Sequence, residues 1–116
     1  MHMILDARCR RGMNEVRNVT DFLLDVVLHS KLHLRHLHVQ EFYTAEPSGP
    51  GISGLALLAE SHLNIHTWPE RGVVQMCLQS CKDFDVQEVK AIVDRRFGLE
   101  ETLAEHCVDR AIGAPT

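Results

Sequence analysis

Apolar and polar positions along the chain switch between a helical and a strand period, and the switches divide it into short elements. Met1 to Cys9 is an apolar segment running into Arg8, Arg10, Arg11 and Gly12, which predicts an opening strand and a turn. From Asn14 to about Leu32, the residues Val16, Val19, Phe22, Leu23, Val26 and Val27 recur at spacings of three and four, the mark of an amphipathic helix. Leu34 to Tyr43 sets Leu37, Val39 and Tyr43 at period two and predicts a strand. Two prolines and two glycines between Ala45 and Gly51 make that stretch a loop. Ile52 to Trp68 is strand-like on both sides of a polar interruption at Glu60, Ser61 and His62. After the turn signal Pro69 to Gly72, Val74, Met76 and Leu78 alternate with Gln75, Cys77 and Gln79 in a half-buried strand over Val73 to Cys81. Asp85, with Glu88 three residues on, starts a second helix that Val86, Val89, Ile92, Val93 and Phe97 trace until Gly98 stops it. Leu99 to Ile112 fits a helix through Leu99, Leu103 and Cys107 or a strand through Leu103, Glu105 and Cys107, and both remain open. This order predicts a single α+β domain over 1–116, a mainly antiparallel sheet with two helices packed on one face in a two-layer sandwich.

Composition narrows the function classes. Twelve Lys and Arg stand against 16 Asp and Glu for a formal charge of -4, so no electrostatic footprint argues for nucleic acid or an anionic membrane. The longest apolar stretch, Ile52 to Ala59, is broken by Ser53 and Gly54 and is far shorter than the ~20 residues of a spanning helix. The N-terminus has an acid at Asp6 and no basic region before an apolar core, so it does not read as a signal peptide. The expectation is a cytoplasmic protein in which Cys9, Cys77, Cys81 and Cys107 stay reduced.

Two constellations carry chemistry. His62 with His66, and Cys77 with Cys81, supply zinc-type ligands. On strands, residues four apart lie ~13 Å from one another, so neither pair shares a metal, and no metal is expected. His29, His33, His36 and His38 read as a solvated polar face near the end of the first helix. The polar run Glu60-Ser61-His62 reads as a hairpin turn or bulge, or as part of a catalytic site with His66 and Cys81: a hydroxyl, a base and a thiol around neighbouring strands.

The run from Gly51 to Glu70, Gly-Ile-Ser-Gly-Leu-Ala-Leu-Leu-Ala-Glu-Ser-His-Leu-Asn-Ile-His-Thr-Trp-Pro-Glu, with Cys81 eleven residues later, resembles the prokaryotic S-adenosylmethionine decarboxylase family. The resemblance implies a self-processing enzyme of polyamine (spermidine) biosynthesis that makes its own cofactor. The Glu60-Ser61 bond undergoes an N-to-O acyl shift, and β-elimination then leaves a β chain of residues 1–60 and an α chain of residues 61–116 that begins with a pyruvoyl group derived from Ser61. By the same resemblance His66 removes the Cα proton, and Ser53 steadies the tetrahedral oxyanion. The pyruvoyl ketone forms a Schiff base with the substrate amine and serves as the electron sink for loss of carbon dioxide, while Cys81 protonates the resulting carbanion. Trp68 stacks on adenine and Glu70 accepts from ribose hydroxyls. Two processed protomers pair as a homodimer, which also suits a domain with only 5% aromatic residues.

Departures from the family pattern fall around the substrate. Gln79-Ser80-Cys81-Lys82 replaces the usual Phe-Thr-Cys-Gly, and Leu37 to Tyr43 holds no clean copy of the Phe-His-x-Phe segment, leaving Phe42 or Tyr43 to supply a second adenine-facing ring. The first strand offers Ala7-Arg8-Cys9 where the family has Tyr-x-Cys. The rival within the class is a pyruvoyl-dependent arginine or ornithine decarboxylase, with Asp6 or Glu41 meeting the basic side chain. The rival outside it is a non-catalytic homologue acting as a binding or activating subunit, and a zinc-binding module stands third.

Overall fold

Buried and exposed side chains alternate along most of the predicted strands, and in the computed structural model, which describes residues 1–42 and 50–109, they form one antiparallel sheet. The elements are β1 (His2–Cys9), α1 (Val16–His29), β2 (Leu34–Phe42), β3 (Gly51–Leu58), β4 (Ser61–Trp68), a 3-10 turn (Pro69–Arg71), β5 (Val73–Ser80), α2 (Val86–Phe97) and β6 (Leu99–Val108). The six strands lie in the order β2-β3-β4-β5-β1-β6, and every neighbouring pair is antiparallel. Tyr43 and the loop from Ala45 to Gly49 lie outside the described residues, as does the end of the segment reaching Ile112.

Both helices cover one face of the sheet. Val19, Phe22, Leu23 and Val26 of α1 and Val89, Ile92, Val93 and Phe97 of α2 are fully buried, and the rings of Phe22 and Phe97 meet at 5.4 Å. Beneath them the strands contribute every second residue, such as Met3 and Leu5, Ile52 and Ala56, Leu63 and Ile65, and Met76 and Leu78. Gly54 sets how closely α1 lies on β3, because a Cβ there would stand 2.7 Å from Leu23 Cδ1. The residues between these core positions, among them Ser53, Asn64, His66, Gln75 and Cys77, face away from the helices and line an open concavity of about 720 Å³.

Three details refine the expectations. The first helix ends at His29 rather than near Leu32, because Lys31 turns into the left-handed region (φ 56°) and Leu32 enters the core from outside the helix. Asp85 caps α2 as expected, accepting from the backbone N–H of Gln87 and Glu88, but the Glu88 carboxylate goes to His29 at 3.5 Å rather than back to the cap. The ambiguous last segment is a strand: β6 pairs with β1, and register shifts at Asp6/Ala7 and Arg8/Cys9 blur its alternation. Among the described residues, no helix is long and apolar enough to cross a membrane.

Candidate active site

The expected site residues fall into two groups at opposite ends of β4. The first is built on the reversal between β3 and β4, where Leu58 pairs directly with Ser61 and only Ala59 and Glu60 make the turn. Ser61 has φ 154°, a region that residues with a side chain rarely adopt, at a cost of ~1–3 kcal/mol that the surroundings must offset. Those surroundings are a set of hydrogen bonds. The Ala59 N–H donates to the His33 carbonyl at 2.9 Å. The Glu60 carboxylate accepts from the His33 N–H at 3.0 Å and from its imidazole Nδ1 at 2.6 Å, contacts that hold the Glu60 pKa down at about 2. On the other side, the Glu60 carbonyl accepts from the Cys81 N–H at 3.0 Å.

That last contact matters chemically, because the Glu60 carbonyl is the electrophile of any attack by Ser61. A backbone donor on its oxygen polarises it and is already aimed at the oxygen that gains charge on addition. The Ser61 hydroxyl shares a hydrogen bond with His62 Nδ1 at 3.1 Å, and the exposed Cys81 carries a free thiol.

At the second group, Ser53 and His66 are direct cross-strand partners, and Ser53 Oγ meets His66 Nδ1 at 2.5 Å. The His66 ring lies between Phe42, with centroids 5.7 Å apart, and Trp68, at 4.4 Å. This burial lowers the His66 pKa, which the Glu70 carboxylate partly opposes, so the imidazole is a neutral base at neutral pH. Trp68 donates from Nε1 to Gln75 Oε1 at 2.8 Å and is 37% exposed. Next to His66, the buried Thr67 hydroxyl donates to the Met13 carbonyl at 2.6 Å and accepts from Ile52 N–H at 3.0 Å, fixing this end of β3 and β4 to the loop before α1.

Glu60, Ser61 and Cys81 are therefore together, and Ser53, His66, Trp68 and Glu70 are together, but the two groups do not meet within one chain. Five residue steps along the strand separate Ser61 from His66, ~16 Å, and an odd separation points the two positions to opposite faces. Phe42 packs against His66, its ring tilted by 40°, rather than standing free opposite Trp68. Asp6 lines the open concavity, whereas Glu41 pairs with the fully buried Ile52 and so belongs to the helix side. His62 and His66, like Cys77 and Cys81, are strung along strand directions as the spacing argument requires. Cys77 instead has His2 Nε2 at 2.9 Å, and burial raises its thiol pKa.

One residue of this site escapes the sequence reading. His33 looks like part of a solvated face, and its ring is 71% exposed, yet it holds Glu60 across 27 positions of sequence, which no local pattern reveals.

Comparison with known proteins bears on these residues as a set. A family model described as S-adenosylmethionine decarboxylase matches residues 1–110. An S-adenosylmethionine decarboxylase proenzyme of Thermomicrobium roseum is 35% identical over 80 residues, 69% of this chain and 66% of that protein. That of Syntrophomonas wolfei is 34% identical over 71 residues, 61% of this chain and 52% of that protein, and that of Carboxydothermus hydrogenoformans is 29% identical over 94 residues, 80% and 70%. The chain thus spans between about half and two thirds of the length of the first two of these relatives. The crystal structure of the adenosylmethionine decarboxylase from Aquifex aeolicus shares the fold, with a TM-score of 0.77 at 22% identity over 99% of this chain and 92% of that one. Because the family match takes in both ends of β4 and every strand and helix described above, the chain belongs to the S-adenosylmethionine decarboxylase family.

Proposed function

We propose that this chain is a proenzyme that cleaves itself between Glu60 and Ser61 and then, as a pyruvoyl-dependent carboxy-lyase, decarboxylates S-adenosylmethionine. The observation that carries the reading is the Glu60 carbonyl, held by the Cys81 N–H at 3.0 Å directly before a serine whose φ is 154°. In the first step Ser61 Oγ adds to that carbonyl carbon, its proton passes to the Ser61 nitrogen, and the C–N bond breaks, leaving an ester and a free amine. In the second, a base takes the Ser61 Cα proton and the ester C–O bond breaks, so that Glu60 leaves as a carboxylate and a dehydroalanine remains. Tautomerisation to an imine and addition of water release ammonia and leave the pyruvoyl group at the head of residues 61–116.

The residues fit such a group, since its precursor opens a strand at a half-buried turn whose carbonyl is bound by the backbone N–H of Cys81, a residue with a free, exposed thiol. When formed, the group supplies an electron-withdrawing carbonyl that lets a bound amino acid lose carbon dioxide. Cys81 then holds the proton that the substrate carbon receives, and a reducing, cytoplasmic setting keeps that thiol available. Trp68 offers a ring face to adenine, worth ~1 kcal/mol, and Glu70 a carboxylate to ribose hydroxyls.

His66 is the base of the second step, yet ~16 Å of strand separates it from Ser61 in its own chain. A second copy supplies Ser53 and His66 to the Ser61 of the first, and a homodimer is the proposed working unit. Asp6 in the open concavity favours a second reading, in which a basic amino acid is the substrate. The deciding experiment measures carbon dioxide released by purified, processed protein from S-adenosylmethionine, arginine and ornithine side by side. Release from S-adenosylmethionine alone is expected. Release only from arginine or ornithine moves the substrate contacts to Asp6, and release from none makes the chain a non-catalytic subunit.

A further inference from the structure

Self-cleavage needs more than a serine and a base, because an amide does not rearrange unless its carbonyl is held where the hydroxyl can reach it. The Glu60 carbonyl is fixed on one side by Cys81 N–H, at the end of β5. On the other side the anchor is His33, in the connection between α1 and β2, which binds residues 59 and 60 three times: through its carbonyl to Ala59 N–H, and through its N–H and Nδ1 to the two oxygens of the Glu60 carboxylate. The same connection is also tied to the segment that follows β5, by Lys82 Nζ donating to the Lys31 carbonyl. The turn that precedes Ser61 is therefore clamped between two elements that are distant in sequence, and the unfavourable Ser61 backbone lies immediately beyond the clamp.

We infer that His33 is a positioning residue for the acyl shift, its imidazole gripping the Glu60 side chain so that the Glu60 carbonyl stays within reach of Ser61 Oγ. The inference rests on the self-cleavage proposed above. His33 touches neither the carbonyl nor the hydroxyl, so it acts through Glu60. Its ring is 71% exposed and the Glu60 side chain 10% exposed, and the backbone bonds of His33 to residues 59 and 60 do not depend on the imidazole, so loss of the ring leaves the turn anchored and shows chiefly in the cleavage rate. Because the grip is on the side chain, it survives the break and keeps the new carboxyl end of residues 1–60 in place.

The test follows cleavage of freshly made full-length chain by intact mass for the wild type, His33→Ala and His33→Asn, with a thermal unfolding curve for each. His33→Ala is expected to cleave ~10-fold more slowly while still unfolding cooperatively, with no more than a small drop in midpoint. His33→Asn, whose Nδ2 can take the place of Nδ1, should recover most of the rate. The uncleaved His33→Ala chain should resist hydroxylamine, because it is held up as an amide before any ester forms. Cleavage of His33→Ala at the wild-type rate overturns the inference, as does a slow His33→Ala chain that hydroxylamine splits or that His33→Asn fails to rescue. A wild-type chain that stays whole removes the self-cleavage reading itself, a result readily told apart from these.

Discussion

At one end of β4 the chain presents a serine in a costly backbone conformation, a carbonyl bound by a backbone donor and an exposed thiol, whereas at the other it presents a desolvated imidazole bound to a serine hydroxyl between two aromatic rings. The first end prepares an electrophile and its nucleophile through backbone geometry, and the second prepares a base through burial. Each end matches one half of a two-step chemistry: addition needs a polarised carbonyl near a hydroxyl, and elimination needs a neutral base. Their separation along one strand teaches that a single protomer holds all the parts without assembling them.

The largest expected effect comes from removing the base end. His66→Ala should slow elimination by ~10²–10⁴ and accumulate an ester that hydroxylamine cleaves. Co-expressing it with Ser61→Ala sharpens the comparison, because a His66 carried by the Ser61→Ala chain should restore cleavage of the His66→Ala chain. Failure of that mixture to cleave, with dimers formed, would place both ends in one chain after all. Next in size is Cys81→Ala, which removes the thiol and leaves the backbone donor. Cleavage should proceed near the wild-type rate, while turnover falls by ~100-fold and progress curves die early as protonation goes to the wrong carbon. Equal losses in cleavage and turnover would mean that the thiol, and not the N–H, serves processing.

The smallest effect concerns the acid limb of the cleavage rate. The neutral imidazole is the working form, so the rate falls as pH drops through the His66 pKa, which burial places below the usual imidazole range. Glu70 holds that pKa up, and in Glu70→Gln the acid limb should move to lower pH. A shift to higher pH would show that Glu70 does not act on His66 by its charge.

Much of the fold is legible because burial imposes a period. The 3.6-residue repeat of Val19, Phe22, Leu23 and Val26 and the alternation of Val74, Met76 and Leu78 both reflect one face meeting the core. The last strand is less legible, since β6 sits at the sheet edge with mostly exposed side chains and two register shifts. At the candidate site, Ser61, His66 and Cys81 stand out by residue type, but their mutual reach depends on strand length and parity, which spacing in sequence hides. His33 is hidden more completely, because it lies in the connection between α1 and β2 while its partner Glu60 lies at the reversal between β3 and β4.

The central claim is that the Glu60-Ser61 peptide breaks by the chain's own chemistry, and an intact-mass spectrum of purified wild-type protein beside Ser61→Ala tests it most directly. The wild type should yield residues 1–60 with a free carboxyl end and residues 61–116 with a pyruvoyl-blocked amino end, while Ser61→Ala stays whole. A wild-type chain that remains intact under conditions of turnover, or a Ser61→Ala chain that still divides at the same bond, would contradict it.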